Sequence, residues 1–141
     1  MSTPVGPTLA ELQQRLDDCP FHKLFSMTIL HADAESQTLA IRLAFTPAVE
    51  RKAGTKQYHG GVIASLIDIA GDFALIAVLG HGVPTINFRV DYLRPAVATD
   101  LIARAQVRRA GRSVGVVDID VEDQDGRVVA IGRGCYGTRA G

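Results

Sequence analysis

Asp68 and Asp72 lie inside the most apolar run of the chain, within HGGVIASLIDIAGDFAL, residues 59–75. At about 100° per residue, a helix gathers Gly61, Ser65, Asp68 and Asp72 into an arc of roughly 60°. Ile63, Leu66, Ala70, Phe73, Ala74 and Ala77 take the other side. A helix face bathed in water ordinarily carries Lys, Glu, Arg and Gln. This stripe is short-chained and runs on into Leu75 and Leu79, so it reads as a surface that something covers. A carboxylate there loses hydration and feels a like charge one turn away, and both effects raise its basicity. That suits a general base or a nucleophile, and Asp68 is the acid assigned the role. Asp72 is open to several readings: it tunes Asp68, pairs with an arginine, caps a turn or contacts the substrate.

The turn in front of this run supplies a complementary group. N–H groups at a helix start have no acceptor in their own helix and sit at the positive end of its dipole. Glycine lets another molecule approach that backbone closely. Gly60 and Gly61 therefore form a candidate oxyanion site. His59 either orients the turn or contacts a substrate carbonyl. A third candidate is RRAGRS, where Arg108, Arg109 and Arg112 flank a turn and present guanidiniums suited to phosphate. No Walker, dinucleotide-fold, metalloprotease or serine-hydrolase signature occurs. Cys19 and Cys135 form no CxxC or Cys/His cluster, so the reading contains no disulfide framework, no metal site and no cofactor.

The elements that must position these groups follow from periodicity. Residues 1–7, with two prolines and a glycine, read as loose. TLAE is a capping box in which Thr8 caps and Glu11 reaches back, predicting a helix over about 8–18 that ends at Cys19-Pro20. Strands are expected at 26–33 and 38–45, then a polar loop over 46–58, then one helix from Gly60 to about Leu79. After GHGVP the period becomes two. Ile86, Phe88, Val90 and Tyr92 share a face, as do Leu101, Ala103, Ala105 and Val107, and then Val117, Ile119 and Val121. DQDGR signals a hairpin, and VVAIGRGCYG a last strand loosened by glycines. Short links imply antiparallel pairing, and one-sided alternation implies a sheet with one apolar face, against which the long helix lies. The predicted class is α+β.

Fifteen basic and fifteen acidic residues cancel, so no global field marks a nucleic-acid or membrane partner. Two carboxylates at mid-span oppose a membrane role for the long apolar run. With no basic n-region ahead of an apolar core, and reduced cysteines, the expected location is cytoplasmic.

HGGVIASLIDIAGDFAL, then TINFRVDYLRPA, then the RRAGRS turn between long strands, resembles the hotdog-fold acyl-CoA thioesterases, with the PaaI-like, phenylacetate-degradation branch the nearest. The resemblance spans about residues 25–140. It implies a hotdog domain at 25–141, with 1–24 as an N-terminal segment and helix, and a long central helix wrapped by a curved antiparallel sheet. It implies that the Gly60 N–H polarises a thioester carbonyl, that Asp68 is the base or nucleophile, and that Thr85 holds the attacking water. It also implies that glycine and acid come from different subunits of a homodimer or homotetramer, and that the partner is acyl-CoA, with CoA phosphates at Arg108, Arg109 and Arg112. The alternative is an acyl-CoA-binding protein of the same fold without catalysis. Many relatives carry an asparagine in the loop before His-Gly-Gly; here the loop reads VERKAGTKQY, with Lys56, Gln57 and Tyr58 as stand-ins.

Overall fold

The computed structural model describes residues 6–140; the first five residues, part of the segment expected to be loose, lie outside the described residues. The order is α1 (Leu9–Asp18), β1 (Met27–Asp33), β2 (Thr38–Leu43), α2 (Gly60–Leu79), β3 (Thr85–Tyr92), β4 (Leu101–Ala110), β5 (Val114–Glu122) and β6 (Val128–Gly137), with 3₁₀ turns at Pro20–Leu24 and Pro47–Val49. The six strands form one antiparallel sheet in the order β1-β2-β4-β5-β6-β3. The sheet wraps α2, as the α+β hotdog reading expected.

Local chemistry explains the boundaries. Thr8 accepts from the Glu11 N–H while the Glu11 carboxylate accepts from the Thr8 N–H, which closes the capping box at α1. Leu12 and Leu16 of α1 are fully buried in the common core. Helix α2 ends at Gly80, whose left-handed φ of +83° lets its N–H reach the Ile76 carbonyl at 2.7 Å. By length and composition alone α2 is apolar enough to cross a membrane, yet it packs on β2, β4, β5 and β6. The predicted inward residues of β4 and β5, among them Leu101, Ala103, Val117 and Ile119, are buried beneath it.

Strand β3 departs from expectation. Its alternation predicts an apolar face covered by the helix, but Ile86 is 57 % exposed and Phe88 40 %. The reason is topological: although β3 directly follows α2, it pairs only with β6 and stands at the sheet edge. The strand ends at Tyr92, ahead of Pro95.

Candidate active site

Helix α2 carries both halves of the site. His59 is its N-cap, and the ring Nδ1 accepts from the Gly61 N–H at 2.8 Å. That bond leaves the ring proton of a neutral His59 on Nε2. Val62 donates to the His59 carbonyl at 3.0 Å. The Gly61 amide is thus used internally, whereas the Gly60 N–H has no acceptor among the described residues. Gly60 borders an open cleft of about 340 Å³ walled by Tyr58, Ile63, Tyr92 and Pro95. A Cβ on Gly60 would come within 3.2 Å of the Tyr92 hydroxyl, which donates to the Gly60 carbonyl at 2.5 Å.

Two turns along, Asp68 Oδ1 accepts from the Thr85 hydroxyl at 2.8 Å. Thr85 opens β3, so the strand after the helix returns to fix the carboxylate and leaves Oδ2 without a hydrogen-bond partner among the described residues. Tyr136 on β6 donates from its hydroxyl to the Asp68 backbone carbonyl at 3.1 Å. Its ring is completely buried, and burial, followed by the nearby Asp68 and Asp72 charges, pushes the phenol above its ordinary range. The ring occupies space that only glycines leave: a Cβ at Gly71 or Gly134 would lie 2.2 or 2.4 Å from the Tyr136 oxygen. Sequence reasoning did not single out Tyr136, Tyr92 or Arg94, which also lines the cleft. The alternating glycines of GRGCYG beside one aromatic were the available signal for Tyr136.

Asp72 sits one turn beyond Asp68, half-buried, with no hydrogen-bond donor among the described residues. Burial, then the Asp68 charge, pushes its carboxyl up to about 7. The unfolded chain releases this proton near pH 4. Between those values the folded state holds the extra proton, so stability falls as pH rises through the window and levels off above about 7. Asp72→Asn removes that slope. The variant should match the parent in urea denaturation near pH 4 and exceed it by about 1–2 kcal/mol at pH 8, a figure discounted for solvent reaching the half-buried group. A parallel pair of stability curves across this range refutes the assignment.

The remaining candidates lie elsewhere. Arg108 faces the outer side of the sheet, where it meets Asp118 at 3.5 Å beside Arg133. Arg109 and Arg112 flank the β4–β5 turn, and Gly115 just past it packs against Leu75 in the second half of α2. The turn therefore neighbours the end of the helix opposite Gly60. In the 46–58 loop, the Tyr58 hydroxyl is committed to the Thr99 carbonyl at 2.8 Å, and Gln57 accepts from Arg51 at 2.5 Å. Of the three residues considered in place of asparagine, only Lys56 keeps its side chain free of hydrogen bonds among the described residues.

One distance governs what this arrangement can do. Eight residues separate Gly60 from Asp68, a rise of about 12 Å. A carbonyl held at the Gly60 N–H cannot be attacked by the Asp68 of the same chain, because general-base chemistry needs contact at about 3 Å or through one water.

One antiparallel six-stranded sheet wrapped around a single long helix is the hotdog fold. The chain belongs to the thioesterase superfamily, whose profile matches residues 58–130. It is 36% identical over 139 residues to a Halobacterium salinarum protein whose esterase assignment is provisional, covering 90% of this chain and 89% of that one. It is 36% identical over 93 residues to the Escherichia coli acyl-coenzyme A thioesterase PaaI, covering 65% and 66% of the two chains. The solved E. coli PaaI structure superimposes with a TM-score of 0.79 at 26% identity, covering 95% of this chain and 97% of that one.

Proposed function

We propose that the protein hydrolyses acyl-CoA thioesters to a carboxylic acid and free CoA, in sites assembled between two copies of the chain. The free Gly60 N–H is the observation that carries the reading. It lies at the positive end of a 20-residue helix, where charge developing on a thioester oxygen is stabilised. Asp68 of the second copy takes a proton from water as the water oxygen bonds to the carbonyl carbon. The carbonyl re-forms as the C–S bond breaks, and the departing thiolate takes up the proton. Thr85, already donating to Asp68, keeps the acid turned toward that water. The open edge of β3 and its uncovered Ile86 and Phe88 support pairing with a second copy.

Mixing two inactive chains tests the whole arrangement. Gly60→Pro deletes the one N–H, and proline is tolerated at the first helical position. Asp68→Asn deletes the base. Each variant alone should release almost no thiol from acyl-CoA. After mixed refolding, random pairing gives heterodimers with one complete site, and about a quarter of parental activity should return. No recovery from a mixture shown to contain heterodimers sinks the shared-site mechanism.

A further inference from the structure

Two glycines in succession open α2, and neither has a side chain with which to hold itself. Glycine has the widest backbone freedom of any residue, and the first turn of a helix lacks the hydrogen bonds of its interior, so this segment is prone to fray. Three side chains hold it. His59 Nδ1 accepts from the Gly61 N–H at 2.8 Å, the Ser65 hydroxyl donates to the Gly61 carbonyl at 2.8 Å, and Tyr92 donates to the Gly60 carbonyl at 2.5 Å. His59 and Ser65 belong to the helix and its cap, so they move with it. Tyr92 closes β3, and among the described residues it is the only side chain from another element that bonds to either glycine.

We propose that Tyr92 is a positioning residue that holds the Gly60 N–H in its outward aim at the thioester oxygen. The inference rests on the hydrolytic reading of the Gly60 cleft and adds a residue to it. The peptide that carries the free N–H lies between His59 and Gly60. On its near side the His59 N–H donates to the Val49 carbonyl at 2.8 Å, and the His59 carbonyl accepts from Val62 at 3.0 Å. On its far side stands Gly60, restrained by the helix and by Tyr92. The ring adds a steric stop to the hydrogen bond: a Cβ on Gly60 would meet Tyr92 Cζ at 3.3 Å, so the bare Cα lies against the ring. The strand behind is firm, since Tyr92 pairs with Ala130 of β6 and Leu93 donates to the Val129 carbonyl at 2.9 Å. A donor stabilises developing charge to the extent that it is already oriented, and a small misplacement is costly. Thr85, at the opposite end of β3, holds Asp68. One edge strand therefore sets both groups of α2. Because the proposed site takes Gly60 from one copy and Asp68 from the other, the two ends of that strand serve different sites.

Tyr92→Phe removes the hydroxyl and keeps the ring. With acyl-CoA, kcat should fall about tenfold, less than when an oxyanion donor is deleted outright, and KM should stay within about twofold because the cleft wall is unchanged. In protein isotopically labelled on its glycine nitrogens, the Gly61 amide, shielded by His59 in the parent, should exchange with water severalfold faster in the variant. Normal kcat in Tyr92→Phe overturns the proposal. So does a rise in KM at constant kcat, which makes the hydroxyl a substrate contact. A fall in kcat with unchanged Gly61 exchange overturns it as well, since the hydroxyl then acts on the reacting groups directly. If the parent releases no thiol from any acyl-CoA, the exchange measurement still decides. Faster exchange then keeps Tyr92 as the holder of the Gly60 turn and refutes hydrolysis alone, whereas unchanged exchange overturns both.

Discussion

Asp68→Asn lowers kcat for acyl-CoA by at least about a hundredfold, while its melting temperature stays close to that of the parent. The substitution is nearly isosteric, and the amide oxygen still accepts from the Thr85 hydroxyl that bonds Oδ1 at 2.8 Å. Strand β3 and helix α2 therefore keep their relation, and what disappears is the proton acceptor. KM should move little, since substrate binding relies on the cleft at Gly60 and not on the acid. Thr85→Ala should cost about tenfold, because it frees the carboxylate to rotate without removing it. Asp72→Asn should cost less than either. Steady-state thiol release with a panel of aromatic and aliphatic acyl-CoAs measures all three. Near-normal turnover by Asp68→Asn, or equal losses at 68 and 72, would remove Asp68 from the mechanism.

The second large effect is on stability. Gly71→Ala places a methyl 2.2 Å from the Tyr136 oxygen and 2.9 Å from its ring carbon Cζ. Neither side can give way easily, for Tyr136 is fully buried and Gly71 is in the middle of α2. Overpacking of this kind costs about 3 kcal/mol or more. Tyr136→Phe alone should cost only about 1 kcal/mol, the worth of its bond to the Asp68 carbonyl. In a Tyr136→Leu background, itself destabilised, the further cost of Gly71→Ala should largely vanish, a coupling that urea denaturation of the four chains reads directly. Additive losses would mean that Tyr136 and Gly71 do not share this contact. The comparison also separates packing from chemistry: if the hydroxyl bond to the Asp68 carbonyl holds α2 where Asp68 needs to be, Tyr136→Phe lowers kcat with KM unchanged.

The sequence displays whatever is local. Thr8 and Glu11 announce α1, and the helix from Gly60 to Leu79 has the predicted ends because its cap residues are adjacent in the chain. The stripe of Gly61, Ser65, Asp68 and Asp72 is visible because helical geometry is regular. The stripe singled out Asp68 and the helix start offered Gly60 and Gly61; the resemblance narrowed the amide to Gly60, and the structure adds that His59 consumes the Gly61 amide and spares that of Gly60. What stayed hidden depends on long-range packing. Tyr136 meets Asp68 across 68 residues, and no periodicity encodes that contact. The edge position of β3 follows from the order in which strands pair, so an apolar alternation that looks like core becomes surface. Which acid is pushed up by burial is likewise a property of the folded surroundings of Asp72, not of its neighbours in sequence.

The chain contains no tryptophan and three tyrosines, and this sparse set is usefully placed. Tyr92 touches the Gly60 carbonyl, Tyr136 touches the Asp68 carbonyl, and Tyr58 is locked in the wall between the loop and the cleft. Intrinsic ultraviolet emission therefore comes almost wholly from rings at the two ends of the reacting apparatus. Tyr92 is 52 % exposed and Tyr136 is fully enclosed, so a quencher dissolved in the buffer reaches one and not the other. Occupancy of the cleft can be followed as shielding of Tyr92, and loosening of the acid-bearing helix as new quenching of Tyr136, in one unlabelled sample.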